Sequence, residues 1–285
     1  MLAEVAELLA CPVCRSDLEL EQSVLLCSRG HSFDVARQGY VSLVTGAATK
    51  FTGDTADMVA ARAEFLDAGH FDDIARTVAD IVGEPIGDRA PRIVEIGAGT
   101  GYYLARAVDR SDDALGLGID ISKAAARRAA RAHPRVAAVV ADAWQALPIL
   151  DGAVTHALSI FSPRNPDEVS RVLCSDGLYI VATPTSRHLC ELVAPIGMVR
   201  VDEEKTRRLG ESMSAGFERI DRVPVEYAVE LDHAAVGAVV GMGPSAHHLS
   251  PQVRAEAIAA LPAVVSVTVS VVVSAYRPRL AITSA

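Results

Sequence analysis

Apolar and polar positions change period several times along the chain, and each change predicts an element. Near the start, Leu18, Leu20, Val24 and Leu26 alternate with polar neighbours on either side of Gln22-Ser23, the pattern of a small hairpin. Ser32 to Val44 reads as a short strand or loop packed on that hairpin. Asp54 or Thr55 is placed to cap a helix running to about Asp67, with Gly69 just past its end. Phe71, Ile74, Val78 and Val82 recur at helical spacing in a second helix that Gly83 ends. Ile93 to Ile96 is a short, mostly β-branched run, broken by three glycines before Leu104 to Val108 resumes as a helix. Further strands are expected at Ala114 to Ile119, Val136 to Val140, Ala153 to Phe161 and Leu178 to Thr183, with a helix at Lys123 to Ala132. Ser186 is placed to cap a helix carrying His188. A charged helix at Asp202 to Met213, a strand at Val223 to Leu231 and a loop at Met242 to His248 follow. Val265, Val267, Val269, Val271 and Val273 then alternate mostly with Ser or Thr, a period of two that predicts a last strand. The whole reads as an α/β fold.

Composition bounds this picture. The 285 residues, half of them hydrophobic, allow one large domain or a domain with an appendage. The small polar stretch Thr45 to Thr49 marks a linker. It divides the chain into a knuckle over 1–45, a linker with the first helices over 46–84, and the α/β domain over 85–285. A net charge of -9 gives no global basic footprint for phosphate binding, so any nucleic-acid surface must be local. Met1 to Ala10 carries Glu4 and Glu7 and no basic leader, and Val264 to Tyr276 is shorter than the ~20 residues a bilayer requires. The expectation is a soluble cytoplasmic protein with no membrane partner.

Three of the five cysteines lie in the first 27 residues, where Cys11, Cys14, Cys27 and His31 form C-x2-C-x12-C-x3-H. Two pairs of soft or borderline ligands suit a closed tetrahedral zinc site, which leaves no position for water and so reads as structural. A module this small cannot bury enough apolar surface alone, so metal would supply folding energy. The other reading is a group of reduced, unliganded thiols. Cys174 and Cys190 read as ordinary core or surface residues. His247-His248 has no carboxylate or cysteine at close spacing to complete a second metal site.

The glycine turn carries the second chemistry. A dinucleotide fingerprint needs a third glycine at position 102, and that residue is Tyr102. Gly97, Gly99 and Gly101 instead follow Glu95 in a G-x-G-x-G pattern that looks like motif I of class I S-adenosylmethionine (SAM) methyltransferases. Asp120 ends the next strand, some twenty residues on, where a carboxylate accepts hydrogen bonds from ribose hydroxyls. Asp142, at the end of the third strand, either reads the adenine amino group, as such residues do in SAM enzymes, or caps the following turn. Trp144 either fills the core or packs near the cofactor. The edge at Ser162 to Pro166 is where an acceptor substrate would sit; it has neither the Asp/Asn-Pro-Pro-Tyr of adenine amino methylation nor the Pro-Cys of cytosine-C5 methylation.

Knuckle, linker and core together resemble the bacterial 23S rRNA (guanine-N1)-methyltransferases, a family that includes macrolide-resistance enzymes. The resemblance rests on Cys11-Pro-Val-Cys14, Cys27, His31-Ser-Phe-Asp34, Gly39-Tyr40, Gly53-Asp-Thr-Ala-Asp-Met58 and Ala61 to His70. It continues through Ile96 to Tyr103, Ile119 to Lys123, Ala182-Thr-Pro184, Arg187-His-Leu189 and Met242-Gly-Pro244. It implies a seven-stranded Rossmann-like class I SAM domain with a zinc knuckle that helps hold an RNA hairpin. The modified base would be a loop guanine near the peptide exit tunnel, and a homodimer would widen the RNA cleft. The cofactor set it implies is Glu95, Gly97, Gly99, Gly101, Tyr102, Asp120, Ile121, Asp142, Ala143 and Ser159. Asp54, Asp57, Arg62 and His70 otherwise read as capping and solvated helix surface, and gain weight from the resemblance alone. Guanine N1 must lose a proton, for which Asp54, Asp57, His70 and His188 are the candidate acceptors. Phe161 or Tyr103 would take the splayed base. Two other readings stand beside this one: a SAM methyltransferase for a small metabolite or glycolipid precursor, and a non-catalytic zinc-containing RNA-binding protein.

Overall fold

The carboxyl ends of parallel strands, where the site lies, are positioned by a sheet built from the β-branched runs. The fold is that of a computed structural model describing residues 1–46, 53–200, 213–243 and 250–279. The chain opens with α1 (Leu2–Val5) and a 3-10 turn (Ala6–Leu8), then a small antiparallel sheet of β1 (Leu18–Glu21), β2 (Val24–Cys27) and β3 (Ser32–Asp34). β4 (Tyr40–Ser42) leaves this sheet for the main one. The core continues with α2 (Ala56–Asp67), α3 (Asp72–Val82), β5 (Arg92–Ile96), α4 (Tyr102–Val108), β6 (Leu115–Asp120), α5 (Lys123–Ala129) and β7 (Val136–Val140). There follow β8 (Val154–Ile160), α6 (Pro166–Val172), β9 (Leu173–Pro184), α7 (Cys190–Ile196), β10 (Phe217–Asp232), α8 (His233–Gly241), α9 (Pro251–Ala259) and β11 (Val264–Pro278).

The main sheet runs β10-β11-β9-β8-β5-β6-β7-β4. Pairs from β9 through to β4 are parallel, and β11 is antiparallel to both β9 and β10. Strand order reverses at β5, between β6 and β8. An open α/β sheet binds ligands at the carboxyl ends beside such a reversal. The seven expected strands are there, and β4 adds an eighth along the edge at β7. That strand ties the knuckle to the sheet. So does a shared apolar cluster in which Leu2, Val5, Leu9, Leu18 and Leu25 pack with Val94, Leu117 and Val139. Each fully buried side chain of this kind contributes about 1.5–3 kcal/mol.

Several elements differ from the sequence reading. α5 ends at Ala129, three residues before the expected Ala132, with Ala130 as its cap. β9 begins at Leu173, ahead of the expected Leu178, so Asp176-Gly177 lies inside the strand. A side chain at Gly177 would come within 3.0 Å of the Cys174 and Thr155 carbonyls, so the register shift there depends on its being glycine. α6, α8 and α9 were not anticipated. α8 is rich in Val and Ala, which gives little helical periodicity, and is started by Asp232, whose side chain accepts the Ala235 N–H at 2.8 Å. Ser186 caps nothing: α7 begins at Cys190 after Leu189 at φ 55°, so His188 lies in the preceding turn. Trp144 is 46% exposed and fills no core. The charged helix at 202–212, His247-His248 and most of the linker lie outside the described residues. No described helix is long and apolar enough to cross a membrane.

Candidate zinc knuckle and methyl-donor cleft

In the knuckle, hairpin pairing of Leu18 with Cys27 brings the second half of the motif beside the first. The ligand atoms of Cys11, Cys14, Cys27 and His31 all lie within 4.8 Å of one another. Cys14 and Cys27 Sγ are 3.7 Å apart, and His31 Nδ1 is 3.6 Å from Cys11 Sγ and 3.3 Å from Cys27 Sγ. Tetrahedral zinc with bonds of about 2.3 Å to sulfur and about 2.0 Å to nitrogen demands edges of roughly 3.8 Å and 3.6 Å. The four residues therefore fit the ion. Ser16, with its hydroxyl 3.5 Å from Cys14 Sγ, holds that thiol down to about 6, toward the thiolate that zinc binds. Cys174 is buried and Cys190 exposed, both free.

The second site opens where β5 and β8 end. Gly97 has φ 70°, and a Cβ there would stand 2.6 Å from Ser162 Cβ. Glycine thus lets Ser162 close onto the turn and donate to the Ile96 carbonyl at 2.5 Å. At Gly99 (φ 55°) a Cβ would meet Arg62 Cδ at 3.3 Å, so the missing side chain makes room for a guanidinium from α2. Glu95, Gly97, Ala98 and Thr100 form one wall of a cleft, with Arg62, Phe71, Phe161 and Met242 across it. Asp120 accepts the Gly99 N–H at 2.9 Å and the Ser122 N–H at 2.8 Å, one on each oxygen. A carboxylate offers about four lone pairs, so acceptor capacity is left for a pair of ribose hydroxyls. Glu95 is buried, accepts the Leu104 N–H at 3.1 Å, and is pushed up to about 8 by burial. Glycine cradle and ribose-distance carboxylate fit SAM.

The remaining candidates divide. Tyr102 turns its hydroxyl to Asp72 on α3, at 2.5 Å, under the Arg106 guanidinium, so its side chain leaves the cleft. Ser159 is fully buried between the Tyr179 hydroxyl and the Pro163 carbonyl. Asp142 accepts the Trp144 N–H at 2.9 Å on Oδ1, and the Ala143 carbonyl accepts from Asn165 at 3.1 Å. Ile121 packs against Gly53. Asp54 is ion-paired with Arg62 at 2.6 Å, and Asp57 is exposed in the first turn of α2. His70 packs on Phe65 and its pKa is lowered by burial. His188 stacks on Phe161 and accepts the Ser270 N–H through Nδ1 at 3.2 Å, which places its own proton on Nε2. Burial holds His188 down at about 4.

Arg62, Leu66, Phe71, Ala98, Thr100, Ile160 and Met242 line the cleft and stand outside the predicted catalytic and cofactor sets. The signal for Arg62 was present: it stands one turn from Leu66, and both face the cleft.

Comparison with known proteins agrees with this geometry. The family described as "RlmA, N-terminal", a zinc ribbon, matches residues 9–45, and that described as "Methyltransferase domain" matches residues 93–177. A 23S rRNA (guanine(748)-N(1))-methyltransferase of Streptomyces fradiae is 46% identical, over 98% of this chain and 99% of its own. The chain belongs to the 23S rRNA (guanine-N1)-methyltransferase family. A putative 23S rRNA (guanine-N(1)-)-methyltransferase of Micromonospora griseorubida is 44% identical over 95% of this chain and 97% of its own. Another so described, from Bacillus subtilis, is 34% identical over 64% and 66%. As a member of this family the chain is a SAM-dependent methyltransferase with structural zinc in its ribbon.

Proposed function

We propose that this enzyme methylates N1 of a guanine in a hairpin loop of 23S rRNA near the peptide exit tunnel. The observation that carries the reading is the union of both sites in one chain, the Cys3His ribbon joined to the SAM cleft, shared over nearly full length with the Streptomyces fradiae enzyme. Positive charge is local, as an acidic RNA enzyme requires. Exposed Arg37, Arg127 and Arg131 flank the place where Gly39 approaches Ala130, at the seam of knuckle and core. The protein acts in the cytoplasm, and two copies pair to bound one RNA cleft.

SAM supplies an electrophilic methyl group; the chain's residues position the acceptor in line with it and exclude water. Phe161, 38% exposed at φ 54° and backed by the His188 ring, offers the splayed guanine a stacking face. His188, with Nδ1 engaged and Nε2 protonated, is a donor, which leaves Asp54, Asp57 and His70 to take the N1 proton, directly or through water.

Incubation with labelled SAM and either unmodified large-subunit RNA or a small-molecule extract tests the reading. Label in N1-methylguanosine is expected. Label confined to small molecules, or SAM bound with no transfer, would overturn it.

A further inference from the structure

Of the residues lining the donor cleft, Arg62 is the cationic one. The charged groups around it are acidic: Asp54 touches its Nη2, and its field reaches the carboxylates of Glu95 and Asp120. SAM at neutral pH carries two positive groups, the sulfonium and the ammonium, and one negative group, the methionine carboxylate. An acidic wall suits the first two. The third needs a cation.

The position of Arg62 answers that need more fully than its ion pair explains. Nη2 donates to Asp54 Oδ2 at 2.6 Å and to the Met242 carbonyl at 2.7 Å, which spends both of its hydrogens and fixes the guanidinium plane. Cδ and Nη1 lie over Gly99, 3.3 Å and 3.5 Å from where a Cβ would stand. The Nε–H is buried and has no hydrogen-bond partner. A buried donor left unpaired is costly unless a ligand completes it. Asp54 and Met242 therefore orient the guanidinium and leave part of its donor set unspent at the glycine turn.

We infer that Arg62 binds the carboxylate of the methionine end of SAM, with Asp54 and Met242 as the residues that position it. The inference rests on the SAM reading of the cleft and is independent of the RNA acceptor, so either can fail without the other. It also joins the α2 entry and the segment after α8 to the donor site, so cofactor binding draws together parts of the chain 180 positions apart.

The test is calorimetric and needs no methyl transfer. Dissociation constants of SAM and of decarboxylated SAM, which lacks only the carboxylate, are measured on the wild-type protein and on Arg62→Met and Arg62→Lys. The wild type should prefer SAM by roughly 10- to 100-fold, the worth of a charge-assisted hydrogen bond. Arg62→Met should reduce that preference to about 3-fold or less, while its affinity for decarboxylated SAM changes little. Arg62→Lys should keep part of the preference. If Arg62 serves only to hold Asp54 and Met242, Arg62→Met will weaken both ligands equally and leave their ratio intact, which overturns the inference. Equal affinity of the wild type for the two ligands overturns it as well, even if neither variant folds.

Discussion

In the knuckle, four ligands separated by at most 20 positions converge on one point; in the cleft, the Arg62–Met242 contact alone spans 180. The knuckle site is closed, its four ligand atoms all within 4.8 Å of one another. The donor site is open, with the Arg62 Nε–H unpartnered and Glu95 buried against its preference for ionisation. A closed site exists to hold structure, and its energy is spent on folding. An open one keeps unsatisfied groups for a ligand, at some cost to the fold that carries it.

The difference can be broken most severely at the knuckle. Cys14→Ser should forfeit a large part of the ~10–16 kcal/mol that structural zinc supplies. Because the knuckle shares its apolar cluster with the main sheet, the loss should appear as a lower Tm for the whole protein and as zinc falling from one ion per chain toward none. A smaller loss is expected at the open site. Gly97→Ala forces a side chain into φ 70° and to within 2.6 Å of Ser162 Cβ, costing about 1–3 kcal/mol. SAM affinity should fall with it, while zinc content stays at one per chain.

Glu95 gives the donor site a pH signature of its own. Its folded pKa, about 8, lies above its ordinary 4.5. Between those values the unfolded chain has already lost the proton that the folded chain keeps, so this group's contribution is most favourable below 4.5 and falls as pH rises to 8. Glu95→Gln should flatten the Tm profile over that window in calorimetry. SAM, with two cationic groups, favours the ionised form, so wild-type affinity should rise toward pH 8 with proton release, and the variant should lose this trend. The smallest effect is expected at Cys190, exposed and remote from the ribbon: Cys190→Ser should leave zinc content unchanged and shift stability by less than about 0.5 kcal/mol.

Legibility in the sequence follows the same division. The ribbon ligands could be named because local spacing fixes local geometry, and the glycine turn with Asp120 could be named because a strand-turn-helix unit is also local. Most strands were visible as β-branched runs. α8 was hidden because helix propensity and apolar content conflict in a Val-rich segment. Arg62 was visible as a residue but not as part of the cleft, since its neighbours Gly99 and Met242 arrive only when the sheet is assembled. The Tyr102 side chain is the reverse case: it stands in the motif by sequence, yet Asp72 on α3 draws its hydroxyl away. Trp144, free to fill a core by composition, stays on the surface.

The most direct measurement is reverse-transcriptase extension across 23S rRNA treated with the enzyme and SAM. N1 of guanine is a Watson–Crick donor, so a methyl group there blocks extension. One new stop, just 3′ of a single guanine in a hairpin loop and dependent on SAM, is the expected result. Methyl incorporation into the RNA with no such stop would place the methyl on another atom and contradict guanine N1 as the acceptor.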